Sequence, residues 1–149
     1  MALERTFAML KPGVLSRRSA GEIISRIERK GFDIVALKLL RIPRALAERH
    51  YAEHQDKPFF GELVDYIISG PVVALVLEGE DAVALLRRLC GSTKPLEAAP
   101  GTIRGDYAMH TNLNIIHASD SPQSAAREID LFFRPNEILD WKDGNDVWI

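Results

Sequence analysis

Apolar positions along this chain follow two rhythms, short unbroken runs and helical recurrences, and the change from one to the other marks its elements. "RTFAML" (5–10) is a short apolar run that stops at Lys11-Pro12-Gly13, the pattern of a buried strand ending in a turn. "SAGEIISRIERKGF" follows as a helix: Ile23, Ile24 and Ile27 recur at helical spacing, Ser19 and Glu22 fit a capping box, and Gly31 stands at the stop. "DIVALKLLRI" (33–42) is β-branched and long enough for a second strand. Pro43 opens "PRALAERHYAEH" as an N1 proline, and "PFFGELVDYIISG" (58–70) is a further amphipathic helix closed by Gly70-Pro71.

"VVALVLEG" (72–79) is the clearest strand. "EDAVALLRRLCG" is a helix with acidic residues at its start and Arg87 and Arg88 in its last turn. The loop "GSTKPLEAAPGTIRGDY" is long enough to suggest a functional role. A strand "NIIH", a helix "PQSAAREIDLFF" and a tail, "RPNEILDWKDGNDVWI", complete the chain. Reduced to its core the order is β-α-β, β-α-β. Alternation of this kind suits a parallel α/β sheet. It also suits the split β-α-β, ferredoxin-like arrangement with helices on one face of an antiparallel sheet. Four strands are few for a doubly wound sheet, which favours the second, although periodicity alone does not separate the two.

Composition narrows the class. The 149 residues are 46% hydrophobic and 27% charged with a net charge of −2, a poor fit to a general nucleic-acid binder, which needs clustered cations. One cysteine, Cys90, excludes an internal disulfide and a thiolate zinc cluster. The apolar runs are too short to span a bilayer, and "MALERTFAML" lacks signal-peptide architecture, so the expected address is the cytoplasm. One domain over 1–149 is expected, with about 141–149 as a C-terminal tail. Trp141 and Trp148 suggest that the tail docks onto a surface, such as that of a neighbouring subunit.

Neither GxxxxGK[ST] nor GxGxxG occurs, so any phosphate must be held by side chains. Arg87, Arg88, Thr93, Lys94 and Arg104, in or beside the long loop, are the candidates. His50 and His54 have the i,i+4 spacing of a zinc pair, but the Glu of HExxH and an obvious third ligand are missing. They read instead as surface or pocket-edge residues, with His54 the one able to approach a ligand. Phe59 and Phe60 offer one ring for the core and one for stacking on a flat ligand. His117 ends an apolar strand just before a helix start, where Ser119, Asp120 or Ser121 can cap and Pro122 suits the first helical position. Free N–H groups there favour an anionic phosphate and oppose an imidazolium, leaving His117 nucleophilic. Glu128 borders the apolar stripe Ala125, Ile129, Phe132, Phe133, from where its carboxylate can fix the imidazole tautomer.

Taken together, "ERTFAMLKP", "GEII", "HYAEHQDKPFF", "SGPVVALVLEG", "PGTIRGDY" and "NIIHASDSPQSAAREI" resemble the nucleoside diphosphate kinase family through nearly the whole chain. The resemblance implies an α/β (α+β) ferredoxin-like sandwich, a four-stranded antiparallel sheet covered by helices. It implies ping-pong transfer of a γ-phosphate from a nucleoside triphosphate to a diphosphate through a phosphohistidine on His117, with Glu128 and Ser119 supporting its geometry. It assigns phosphate and transition-state contacts to Lys11, Tyr51, Arg87, Thr93 and Arg104, sugar contacts to Lys11 and Asn114, and base stacking to Phe59. Mg2+ would be held through the nucleotide phosphates, with no dedicated protein ligands. Homo-oligomers are implied, hexamers before tetramers, with the long loop packing between subunits. The chain departs from the family pattern at Gly13-Val14, Lys94, Asn112-Leu113 and Ala118, none of which removes a site residue. A catalytically silent nucleotide sensor or scaffold is the alternative, and nucleic-acid binding is at most a secondary activity.

Overall fold

The computed structural model describes residues 3–149, apart from the side chain of Asn112; the first two positions of the expected 1–149 domain, and the Asn112 side chain among the departures, lie outside the described residues. Four strands, β1 (Leu3–Leu10), β2 (Asp33–Leu40), β3 (Val72–Glu80) and β4 (Ile116–Ala118), form one sheet in the order β2-β3-β1-β4. Every pairing is antiparallel. β1 and β2 therefore run the same way with β3 inserted between them, which is the split arrangement. Among the described residues six α-helices accompany the sheet: α1 (Ala20–Lys30), α2 (Arg44–His50), α3 (Phe60–Ile67), α4 (Ala82–Cys90), α5 (Ile103–Tyr107) and α6 (Pro122–Phe132).

The helices cover both faces of the sheet, not one. Alternation along β1 shows why: Ala8 and Leu10 join Ile23, Ile27, Leu86 and Ile103 beneath α1, α4 and α5, while Phe7 and Met9 join Ala47, Val64, Ile67 and Phe132 beneath α2, α3 and α6. A strand buried on both sides has no polar face, so β1 and β3 read as continuous apolar runs.

Several local expectations change. Ser19 precedes α1 without capping it; its hydroxyl is buried and donates to the Val14 carbonyl at 3.3 Å. Gly31 does close α1, at φ 113°. Pro43 is the residue before α2, whose helical part ends at His50 and passes into a 3-10 turn over Ala52–His54. Asp81 precedes α4 with φ 51°, and its first turn holds no acidic residue. The loop after α4 contains α5, capped by the Thr102 hydroxyl, which accepts from the Gly105 amide at 3.0 Å. The tail lies against its own chain: the Leu139 amide donates to Val35 O at 2.8 Å, and Trp141 Nε1 donates to Ile34 O at 3.0 Å, both on edge strand β2. Trp148 stays exposed. No helix among the described residues is long and apolar enough to cross a membrane.

Candidate active site

β4 begins two residues later than the apolar run suggests, because Asn114 and Ile115 belong to the turn before it. Ile115 adopts φ 75°, a left-handed conformation that disfavours a β-branched residue. The turn is gripped on both sides. Arg104, buried on α5, donates from Nε to Asn114 O at 3.2 Å, from Nη2 to Ile116 O at 2.6 Å and from Nη1 to Gly91 O at 2.7 Å. The Lys11 amide donates to Ile115 O at 2.8 Å. The guanidinium expected at phosphate thus spends three donors bracing the strand that presents His117.

His117 sits opposite Met9 in the β4–β1 ladder, so its ring projects to the α6 side of the sheet. α6 starts where expected: the Ser121 hydroxyl accepts from the Ser124 amide at 3.1 Å and Pro122 takes the first turn. On its buried face Ala125, Glu128 and Phe132 follow one another at helical spacing. Glu128 Oε1 accepts from His117 Nε2 at 2.9 Å and from the Ser119 hydroxyl at 2.5 Å. Burial pushes the Glu128 carboxyl up, but the bond from His117 and then the one from Ser119 outweigh it and hold the group below the ordinary carboxylate range. An ionised carboxylate can only accept, so Nε2 carries the proton and Nδ1 keeps its lone pair. The side chain of His117 is 22% exposed and that of Glu128 5%. The imidazole reaches solvent and the carboxylate that orients it does not.

Two further basic side chains bond the segments on either side of His117. Arg87, in the last turn of α4, donates from Nη1 to Ala118 O at 3.1 Å. Lys11, at the end of β1, donates from Nζ to Asn114 Oδ1 at 2.6 Å, and burial followed by the charge of Arg104 pushes its pKa down to about 8. Gly13 provides the turn after Lys11 with φ 96°. Tyr51 is buried, its hydroxyl has no partner among the described residues, and burial pushes the phenol above its ordinary value, so it stays a donor. Thr93 and Phe59 stand further out, both exposed. Phe59 is 42% exposed just before α3, with the His54 ring 5.7 Å from its ring and Lys57 Nζ 5.6 Å from its centroid.

His50 corrects the surface reading. It is 3% exposed, its ring meets that of His117 edge-on at 4.8 Å, and Phe132 and Tyr51 enclose it at 5.4 and 4.7 Å. Neither ring nitrogen has a partner among the described residues. Burial, then the neighbouring His117, pushes its pKa down to about 3, so it is neutral. A buried polar atom without a partner costs about 1–3 kcal/mol. Sequence reasoning paired His50 with His54; the signal for burial was its position three residues after Ala47 on the inner face of α2. The described residues that could hold a metal ion together are His50, His117 and Glu128, whose donor atoms lie within 4.8 Å of one another. Magnesium, a hard cation that takes oxygen ligands, suits this site only as a partner of phosphate oxygens, since the set offers two imidazoles and a single carboxylate.

Sheet order and site together define a ferredoxin-like α/β protein that presents an oriented imidazole beside basic side chains. The family model for nucleoside diphosphate kinase matches residues 4–138. The chain is 58% identical to a nucleoside diphosphate kinase of Archaeoglobus fulgidus over 99% of this chain and 97% of that one, and 59% identical to one of Listeria monocytogenes over 99% and 100%. Its structure superimposes with a TM-score of 0.96 on a halophilic nucleoside diphosphate kinase from Halobacterium salinarum in complex with CDP, at 48% identity over 99% and 98% of the two chains. The chain belongs to the nucleoside diphosphate kinase family, and it is a phosphotransferase with that activity.

Proposed function

We propose that the transfer runs in two half-reactions through His117 Nδ1. In the first, the Nδ1 lone pair attacks the γ-phosphorus of a nucleoside triphosphate; the bond to the bridging oxygen breaks and the nucleoside diphosphate leaves. In the second, a terminal oxygen of another diphosphate attacks the same phosphorus and the P–N bond breaks. The observation that carries this reading is the 2.9 Å bond from Nε2 to Glu128, which leaves Nδ1 as the free nucleophile. Glu128 and Ser119 hold the ring. Lys11, Arg87, Thr93 and Arg104 neutralise charge on the travelling phosphoryl group, and the unpartnered Tyr51 hydroxyl donates to one of its oxygens. Lys11 and Asn114 hold the sugar hydroxyls. Phe59 stacks on the base, which tolerates all bases because each has a π face.

Bound Mg2+ would supply charge neutralisation and orientation to the phosphates. The protein would act as one domain in the cytoplasm as a homo-oligomer, hexameric before tetrameric, on nucleoside di- and triphosphates, with nucleic acid at most a secondary partner. The alternative of a silent sensor or scaffold is disfavoured by the activity of the family and by the complete set of site groups. Incubation with Mg2+ and γ-labelled ATP tests the relay. Acid-labile label on the wild type, absent from His117→Ala and chased by GDP, is expected; bound nucleotide without label would overturn it.

A further inference from the structure

His50 is the buried group that the transfer mechanism leaves unused, and it lies against the nucleophile. We propose that His50, His117 and Glu128 form a binding site for a borderline-soft divalent ion of the zinc type, and that occupancy of this site switches off phosphoryl transfer. The binding claim stands on these three residues alone; the inhibitory consequence rests on His117 as the nucleophile.

The chemistry of the donor set is the first support. Two imidazoles and one carboxylate form a recurrent three-ligand zinc set, leaving a fourth position for water. Such a set discriminates against Mg2+, which requires oxygens in an octahedron. Geometry is the second. His117 Nε2 and Glu128 Oε1 are already 2.9 Å apart, and one nitrogen from each histidine and one Glu128 oxygen fall within 4.8 Å. Tetrahedral zinc with bonds of about 2.1 Å needs donors about 3.4 Å apart, so closure requires movements of roughly an ångström. Both nitrogens of His50 are buried and unpartnered among the described residues, so a metal would displace no hydrogen bond from this ligand.

Inhibition follows whichever His117 nitrogen binds. A metal on Nδ1 occupies the attacking lone pair. A metal on Nε2 displaces the proton from that nitrogen to Nδ1, and the protonated Nδ1 has no lone pair to offer. In either case the metal-bound ring has no lone pair with which to attack phosphorus, and the ion would also draw Glu128 away from its bond to the ring.

The test is zinc binding by equilibrium dialysis on the full chain without nucleotide. One zinc per chain is expected, weakened about tenfold or more in His50→Phe, which fills the same space without nitrogens, and the zinc-loaded wild type should take label from γ-labelled ATP at least about tenfold more slowly than the zinc-free protein. The double variant His54→Ala, His110→Ala should bind as the wild type does. Cobalt(II) on the wild type gives an independent reading that needs no variant: tetrahedral absorption bands should appear and be displaced by zinc. Absence of zinc binding, binding indifferent to His50→Phe, absence of tetrahedral cobalt bands, or a zinc-loaded chain that is labelled as fast as the zinc-free one would each overturn the proposal. If no phosphoenzyme forms while zinc binding still requires His50, the metal site stands and the phosphohistidine relay falls.

Discussion

Glu128→Gln separates the charge of the orienting group from its shape. In the native site one carboxylate oxygen accepts two bonds, from His117 Nε2 at 2.9 Å and from Ser119 at 2.5 Å. A bond to a charged partner is worth roughly 1 kcal/mol more than the same bond to a neutral one, so the amide forfeits about 2 kcal/mol across the pair. If that support is felt in the transition state, where the ring gains positive character, the first half-reaction slows by about thirtyfold. Rapid-quench measurement of label transfer from γ-labelled ATP isolates this step. The loss should fall on the rate of phosphorylation and not on nucleotide affinity, because Glu128 faces the ring and is only 5% exposed. Glu128→Ala should be worse, since it orphans both donors. A glutamine variant that phosphorylates within about threefold of the wild type, a difference under 1 kcal/mol, would refute the claim that the carboxylate's charge organises the nucleophile.

Three further perturbations follow from the same contacts. Lys11 is held near pKa 8 in the folded chain against 10.5 for a free lysine, so between those values the unfolded chain binds more protons; the stability of the wild type relative to Lys11→Met should rise with pH across that window by about 3 kcal/mol, and denaturant midpoints measured across it would show a flat difference if Lys11 is not buried as described. Arg104→Lys cannot reach three carbonyls in the same fork and should lower stability by about 1–3 kcal/mol in thermal melts, with an unchanged melting temperature refuting the bracing role. Removing residues 141–149 deletes the Trp141 bond to β2 and should lower the melting temperature by about 2–4 °C, while light scattering on the same protein asks whether the tail also contributes to assembly.

What the sequence disclosed was what depends on local pattern. β3 could be read directly because a strand buried on both faces leaves an unbroken apolar run, and α6 because Ser121 and Pro122 mark its start. His117, Glu128, Arg87, Thr93, Arg104 and Phe59 were candidates from local pattern, whereas Lys11, Tyr51, Asn114 and the supporting role of Ser119 came only from the resemblance. Other features depend on tertiary partners. Ser19 turns its hydroxyl to Val14 and not to the helix end, a choice set by burial. α5 hides among glycines and prolines, although Thr102 three residues before Gly105 is a cap signal. His50 was misplaced because i,i+4 spacing from His54 holds only while the helix continues, and α2 ends at His50 itself. The two-sided covering of the sheet was invisible to an argument about strand order, though the apolar runs already contained it.

The strand that presents His117 pairs with β1 over only three residues, at the edge of the sheet. A ladder so short resists opening far less than the eight-residue register between β1 and β3. Its retention therefore falls to side chains, above all Arg104, and the left-handed Ile115 beside it adds strain, commonly about 1–3 kcal/mol, that is released whenever that grip fails. In hydrogen exchange, amides at 116–118 should exchange through a local opening well below the global unfolding energy, while those of β1 and β3 wait for the whole molecule. The edge of the sheet that carries His117 is thus its most detachable part, fastened by a clasp and not by a seam.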